Sequence, residues 1–264
     1  MSGFQLTSSQ LAAFHEDGFI VIDSLLSSEE TRLLGEIARA DVALQAETES
    51  RADGEGGAVA LALRNDLADD IYSAIVRSES LVAAAEAVLD DEVYHYHHKL
   101  IQKQPRDGGA WAWHQDYGYW YNYCCPFPQL ASCMIAIDRA TPENGCLQVI
   151  RGSHRMGRVD HGKTGDQTGA DPERVQVALE RLELVHCSLE PGQAILFHCN
   201  LLHRSDQNTS DHPRWAFICC YNARSNNPFR QVRHPQYSPL EKWPDSRILS
   251  VGQQQLSALE TARS

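Results

Sequence analysis

Apolar and polar positions change their rhythm near Asp91. Before it, apolar residues recur mostly at helical spacing, and the first ninety residues read as mainly helical. Thr7 and Gln10 form a capping box for a helix through Leu11 and Phe14, and Gly18 ends it. Phe19-Ile-Val-Ile22 is a short apolar strand. Ser27 and Glu30 form a second capping box, opening a helix with Leu33, Leu34, Ile37 and Ala38 on one side. Two more helical stretches cover Ile71–Val76 and Leu81–Leu89, after a polar, glycine-rich loop over 51–57 that reads as mobile.

After Asp91 the chain breaks into short runs rich in β-branched, aromatic and cysteine residues, separated by Pro, Gly and Asn. These predict strands over 93–104, 110–117, 132–138, 147–150, 184–188, 193–198 and 215–221. One helix interrupts them, with Asp171 as N-cap and Pro172 at its first position. Such spacing suggests a sandwich or jelly roll rather than βαβ units. No repeat or low-complexity tract divides the 264 residues, and they are expected to form one domain over 1–264. Its parts are a helical N-terminal part (about 1–90), a core (about 91–222) and a tail (about 223–264).

A net charge of -12 argues against a nucleic-acid partner, which needs a dominant basic surface. No apolar run reaches membrane-spanning length and no leader pattern opens the chain, so a cytoplasmic location and no membrane partner are expected. The eight cysteines contain no C-x-x-C pair and lie mostly in apolar runs. They read as buried free thiols in a reducing compartment.

The candidate chemistry centres on His114-Gln-Asp116. Side chains two apart on a strand share a face, whereas on a helix they diverge by roughly 200°. The other H-x-D pair, His15-Glu-Asp17, ends a predicted helix and cannot easily share a metal. Two imidazoles and one carboxylate form a facial set for iron(II), so one further histidine is needed. His203 ranks first; His198 and His186 remain rivals. Arg214 opens an apolar strand after His203, where a guanidinium must find a partner; it can clamp a carboxylate, with Ser205 as a further donor.

The ordered set His114-Gln-Asp116, Asn144-Gly-Cys-Leu147, Gly152-Ser-His154, Pro191-Gly192, His203-Arg-Ser205 and Arg214 resembles the phytanoyl-CoA dioxygenase family of Fe(II)/2-oxoglutarate oxygenases. That resemblance spans nearly the whole chain, from Phe14 to about Pro244. It implies a mainly β fold, a double-stranded β-helix (jelly roll) core with flanking N-terminal α-helices. It implies iron(II) held by His114, Asp116 and His203, and 2-oxoglutarate held by Arg214 and Ser205. Gln102, Lys99 and Trp120 are further co-substrate candidates, Trp120 as a residue of the same strand parity as His114 and Asp116. Dioxygen and a small-molecule substrate would complete the reaction, with ascorbate as accessory reductant. The carboxylate at Asp116 favours hydroxylation over halogenation.

An anionic substrate such as an organophosphonate or carboxylate would suit the basic residues Arg106, Arg151, His154, Arg155, Arg158 and Arg224. Trp111, Trp113, Tyr117, Tyr119, Trp120, Tyr121 and Tyr123 are split between strand core and a shielded site. Glycine content marks 54–57 and 162–169 as candidate lids. Two alternatives stay open: a jelly-roll metalloenzyme that does not use 2-oxoglutarate, and an oxygenase that desaturates or closes a ring.

Overall fold

The computed structural model describes residues 5–53, 56–164 and 166–262. In chain order the N-terminal elements are α1 (Ser8–Asp17), β1 (Phe19–Ile22), α2 (Ser28–Ala40), α3 (Val42–Ala46), β2 (Glu49–Ala52), β3 (Ala58–Arg64), α4 (Ile71–Arg77) and α5 (Glu79–Leu89). Then follow β4 (Val93–Lys103), β5 (Trp111–His114), α6 (Asp116–Trp120), β6 (Leu130–Ala136), β7 (Leu147–Ile150), β8 (His161–Thr164) and β9 (Gln167–Ala170). Last come α7 (Pro172–Arg181), β10 (Leu184–Cys187), β11 (Ala194–His198), β12 (His203–Ser205), β13 (Arg214–Ala223) and α8 (Ser246–Thr261).

Two antiparallel sheets form the frame, in the orders β1-β11-β6-β13-β4-β3-β2 and β10-β7-β12-β5. From β4 onward, and setting the β8–β9 hairpin aside, successive strands mostly cross from one sheet to the other; β10 follows β7 as its neighbour. That winding is the jelly roll expected from the sequence. Period-two alternation sorts the large sheet's side chains. Phe217, Cys219 and Tyr221 of β13 pack outward with Leu33, Ile37, Ile75 and Val82 of the helices. Ala216, Ile218 and Cys220 pack inward with Val149, Leu147 and Phe197.

Both predicted capping boxes are present, at Thr7/Gln10 and Ser27/Glu30, and Gly18 ends α1 at φ 85. At Gly18 an added Cβ would also lie 2.4 Å from His154 Nδ1, so only glycine fits there.

One expectation is corrected, and three further segments gain detail. The N-terminal part is not simply helical, because β2 and β3 pair as a hairpin and β3 joins β4. The segment 58–64, Ala-Val-Ala-Leu-Ala-Leu-Arg, has alanines that favour helix, but the β4 edge offers a ladder partner and tertiary pairing wins. Within the loop over 51–57, Gly54 and Glu55 lie outside the described residues. Around them, Asp53 accepts from the Gly57 amide at 2.9 Å and Gly109 N bonds Ala58 O at 2.8 Å. The segment 162–169 is largely the β8–β9 hairpin, docked by Gln167 onto Ala110 and Ala112 of the β5 region; its Gly165 lies outside the described residues. The C-terminal tail carries α8, which packs Ile248 and Val251 into the outer core.

All eight cysteines are free thiols, seven of them buried. Among the described residues no helix is long and apolar enough to cross a membrane.

Candidate metal centre

β5 and β12 are hydrogen-bonded neighbours in the small sheet, with His114 and His203 directly opposite. Their imidazole centroids lie 4.0 Å apart. Each ring donates Nδ1–H to the carbonyl two residues earlier, Ala112 at 2.8 Å and Leu201 at 2.9 Å. In the neutral ring this leaves the Nε2 lone pair free. Burial pushes the pKa of His114 well below the ordinary histidine value, and the neighbouring His203 adds to it. Burial also lowers His203, against the attraction of Asp116. Both rings are therefore in the neutral form that binds metals.

Asp116 is not on the strand. The extended run stops at His114, and Asp116 begins the short helix α6. Its Oδ1 nevertheless lies 3.9 Å from His114 Nε2 and 4.0 Å from His203 Nε2. Ser132 Oγ on β6 donates to the other carboxylate oxygen at 2.7 Å and so orients it. The intervening Gln115 is fully buried and turned away. Its Nε2 donates to Gly157 O and Asn200 O, and its Oε1 accepts from Val159 N. Gln115 thereby ties the segment after His114 to the stretch 157–159 and to Asn200, which precedes His203. Among the described residues, His114, Asp116 and His203 are the group whose ligand atoms gather within 4.8 Å. Two neutral imidazoles and a carboxylate on one side suit iron(II) with its opposite face exchangeable.

The rival histidines are elsewhere. His198 Nδ1 accepts from Asn200 N, and its ring packs against Phe14 and His154 outside the cavity. His186 lies on β10 and does not line the cavity.

A cavity of about 140 Å³ opens beside the three ligands, between the sheets. Lys99, Ile101 and Lys103 of β4 face it, with Arg214 and Ile218 of β13 and Ser205 of β12. Trp111, Tyr119, Trp120 and Tyr123 close it on one side, and His97 stacks on His234 at 4.8 Å on another. Burial raises the Tyr119 hydroxyl well above its ordinary value, so it stays protonated.

Arg214 is 3% exposed, and among the described residues no carboxylate forms an ion pair with it. Its Nη2 donates to Gly145 O at 2.7 Å, and its Nε lacks a partner. Burial lowers its pKa to about 10, still charged at neutral pH. A buried guanidinium without a counter-ion is a receptor for an anion. Residue 145 has to be glycine: φ is +77, and an added Cβ would lie 2.3 Å from Asp206 O.

Of the sequence candidates, Lys99, Trp120, Ser205 and Arg214 border the same cavity as the three ligands, and Gln102 does not. Gln102 has the opposite parity to Lys99 on β4, and its amide reaches Thr48 Oγ1 at 3.5 Å. Trp120 reaches the cavity from a helix, not by strand parity. Of the clustered aromatics, Tyr117 is core and Tyr121 is exposed. Trp113 lies under Arg204 and does not line the cavity.

The basic residues singled out for an anionic substrate are instead spent on surface pairs: Arg106 with Asp211, Arg151 with Asp17 and Glu183, Arg158 with Asp160, Arg224 with Glu92. His154 bonds His15 O at 3.1 Å, away from the cavity. Sequence reasoning missed the cavity cations Arg51, Lys103, Arg204 and Arg233 and the imidazoles His97 and His234. Strand parity with Lys99 was the signal available for His97 and Lys103; nothing local marked the others.

A jelly roll with a buried His-Asp-His face beside an unpaired buried arginine defines the class of non-haem iron oxygenases that take a 2-oxo acid. The phytanoyl-CoA dioxygenase (PhyH) family matches residues 14–216, and the chain belongs to it. L-proline trans-4-hydroxylase of Streptomyces griseoviridis is 33% identical over 183 residues, 63% of this chain and 68% of that protein. The ectoine dioxygenase of Sphingopyxis alaskensis is 29% identical over 237 residues, 84% of this chain and 77% of that protein. The crystal structure of apo EctD from S. alaskensis superposes with a TM-score of 0.77 at 26% identity, covering 93% of this chain and 90% of that one. The same protein has been solved with bound Fe and with 2-oxoglutarate and 5-hydroxyectoine. The chain is an Fe(II)/2-oxoglutarate-dependent oxygenase of the hydroxylase type, and its cofactor and co-substrate are iron(II) and 2-oxoglutarate.

Proposed function

We propose that this enzyme hydroxylates a C–H bond of a small carboxylate-bearing metabolite of the amino-acid type. The observation that carries the substrate class is a second cationic region of the cavity, beyond Arg214. Lys99 and Arg233 both line the cavity there, and no acidic side chain among the described residues forms an ion pair with either. Among the described residues that line the cavity Asp116 is the sole acid, and it belongs to the metal set. L-proline and ectoine, the compounds in the relatives' names, each carry one carboxylate, which fits this second region. An organophosphonate would satisfy the same cations and is the second reading.

In this reading His114, Asp116 and His203 hold the iron, which with 2-oxoglutarate and dioxygen supplies the oxidant while the co-substrate becomes succinate and carbon dioxide. Arg214 and Ser205 take the distal carboxylate of 2-oxoglutarate. Lys99 and Arg233 fix the substrate's anionic end, so one C–H bond is held toward the metal. Trp111, Tyr119, Trp120 and Tyr123 wall off water around the reacting centre.

The test is anaerobic reconstitution with iron(II) and 2-oxoglutarate, then aerobic assays with L-proline, ectoine, other cyclic amino acids and alkylphosphonates. Succinate and product mass are read together. An amino-acid carboxylate that raises succinate above the substrate-free rate, with one oxygen added, supports the proposal. Stimulation by phosphonates alone, or by neutral amides as well as by acids, overturns it.

A further inference from the structure

The segment that follows β13 sends two neighbouring side chains back to the cavity, Arg233 and His234. Asn65, the residue after β3, holds both. Its Nδ2 donates to the carbonyl of Arg233 at 3.1 Å, and its Oδ1 lies 2.8 Å from His234 Nδ1. The first bond fixes which end of the amide faces the ring. A carbonyl oxygen only accepts, so Nδ1 carries the proton, and in a neutral imidazole Nε2 is then a bare lone pair.

The surroundings keep the ring neutral. His234 is buried, with its centroid 4.7 Å from the ring of Tyr96, 4.8 Å from His97 and 5.1 Å from Tyr123. Burial, and after it the charges of Arg233 and Lys99, lowers its pKa to about 4. Its one hydrogen bond among the described residues is the Nδ1 bond to Asn65, so no protein donor meets Nε2. His97, stacked on it, repeats the pattern: it is buried, borders the same cavity, and its Nδ1 has no partner. A buried acceptor without a donor carries a desolvation cost that a ligand can relieve.

Cations and neutral rings thus stand side by side at this end of the cavity. Lys99 and Arg233 suit a carboxylate. The lone pair of His234 repels an anion and accepts from a donor instead. We propose that His234 sets the specificity for substrate: its Nε2 accepts a hydrogen bond from an N–H beside the carboxylate that Arg233 and Lys99 hold, so that the pair 233–234 reads an amino acid and rejects a plain acid. An amino acid joins those two groups through one carbon, and two neighbouring residues of the chain present their complements. The proposal rests on the carboxylate reading of Lys99 and Arg233. A site built to bond an N–H discriminates strongly against a ligand that lacks it, because the acceptor is then left buried and unmet.

The experiment uses the whole iron-loaded enzyme with 2-oxoglutarate and matched probes. L-Proline is compared with N,N-dimethyl-L-proline, which has no N–H, and with cyclopentanecarboxylate, which has no nitrogen; L-pipecolate is compared with cyclohexanecarboxylate. Succinate formation gives kcat/KM for each. In wild type the N–H probe of a series is expected to exceed its N–H-free partners by at least about tenfold. His234→Phe keeps a ring in the stack without an acceptor, and is expected to lose that preference through a raised KM for the N–H probe. His234→Gln, whose amide oxygen can still accept, is expected to recover part of it. Asn65→Leu releases both residues and is expected to raise KM for every acid, with or without N–H. Equal use of matched probes by wild type, a preference kept in His234→Phe, or wild-type KM values throughout in Asn65→Leu overturns the proposal and leaves the carboxylate reading standing. Should His234→Phe not fold by circular dichroism, the wild-type probe comparison and His234→Gln decide. Stimulation by none of the acids sinks the carboxylate reading, and the proposal with it.

Discussion

The two sheets share one cavity but hold their functional groups by different means. In the small sheet, β5 and β12 are only four and three residues long. Their histidines are set locally, each by its own Nδ1–H bond to a carbonyl two residues back. In the large sheet, β4 and β13 run eleven and ten residues, backed by the helical layer. Their cations are set by strand register and by burial, with few bonds of their own. A ligand set that must match a metal closely is fixed by short hydrogen bonds; a receptor for a carboxylate is made by leaving buried charge unanswered.

If that division holds, substitutions in the two sheets separate metal from co-substrate. Asp116→Ala removes the one anionic ligand. Iron retention after dialysis and succinate formation are both expected to fall to background, by metal analysis and by a product assay. Arg214→Met is expected to retain iron but to weaken 2-oxoglutarate by roughly 3 kcal/mol, about a hundredfold, read from the visible absorption of the anaerobic ternary complex. Loss of iron in Arg214→Met would break the comparison. Ser132→Ala sharpens it, because Ser132 stands on the large sheet yet touches a ligand. Iron affinity is expected to drop about tenfold with 2-oxoglutarate affinity per bound iron unchanged. The same affinity as wild type would show that Asp116 is oriented without it.

A separate effect, on stability rather than on binding, is on the response to acid. Burial, with His154 and His15 nearby, lowers His198 at the end of β11 to about 4. The unfolded chain binds this proton near pH 6.5 and the folded chain only near 4, so the contribution is whole above 6.5 and shrinks as pH falls through that window. The loss is about 1.4 kcal/mol per pH unit below 6.5. His198→Gln is expected to flatten the fall of melting temperature between pH 6.5 and 4. An unchanged slope would remove His198 from the acid response.

What the sequence revealed follows the range of the interactions. The capping boxes at Thr7 and Ser27 were legible because a cap is written in four consecutive residues. His114 and Asp116 stand two apart, and the family pattern singled out His203 over His198. Pairing was not legible. β3 is held by β4, the β8–β9 hairpin by Gln167 on the β5 region, and β12 by β5 and β7; these partners lie far along the chain, and the segments' own residues state no preference. On β4, Lys99 and Gln102 were both put forward although period two sends them to opposite faces; the structure keeps the first at the cavity and turns the second to Thr48. Lys103 was overlooked because a lysine near a strand end reads as a surface charge. Only the ladder partner at Arg214 shows what it faces.

The direct opposition of His203 and His114 has a further consequence for how this chain can vary. Insertions confined to the loops between them, away from Asp116 and from the strands β6, β7 and β11, are expected to leave this ladder intact. Deleting one residue inside β12 shifts its alignment by a single step, and a single step sends the imidazole through to the other side of the sheet. The oxygenase chemistry therefore acts as a gauge of correct strand alignment, and a misaligned chain is one that cannot take up its metal.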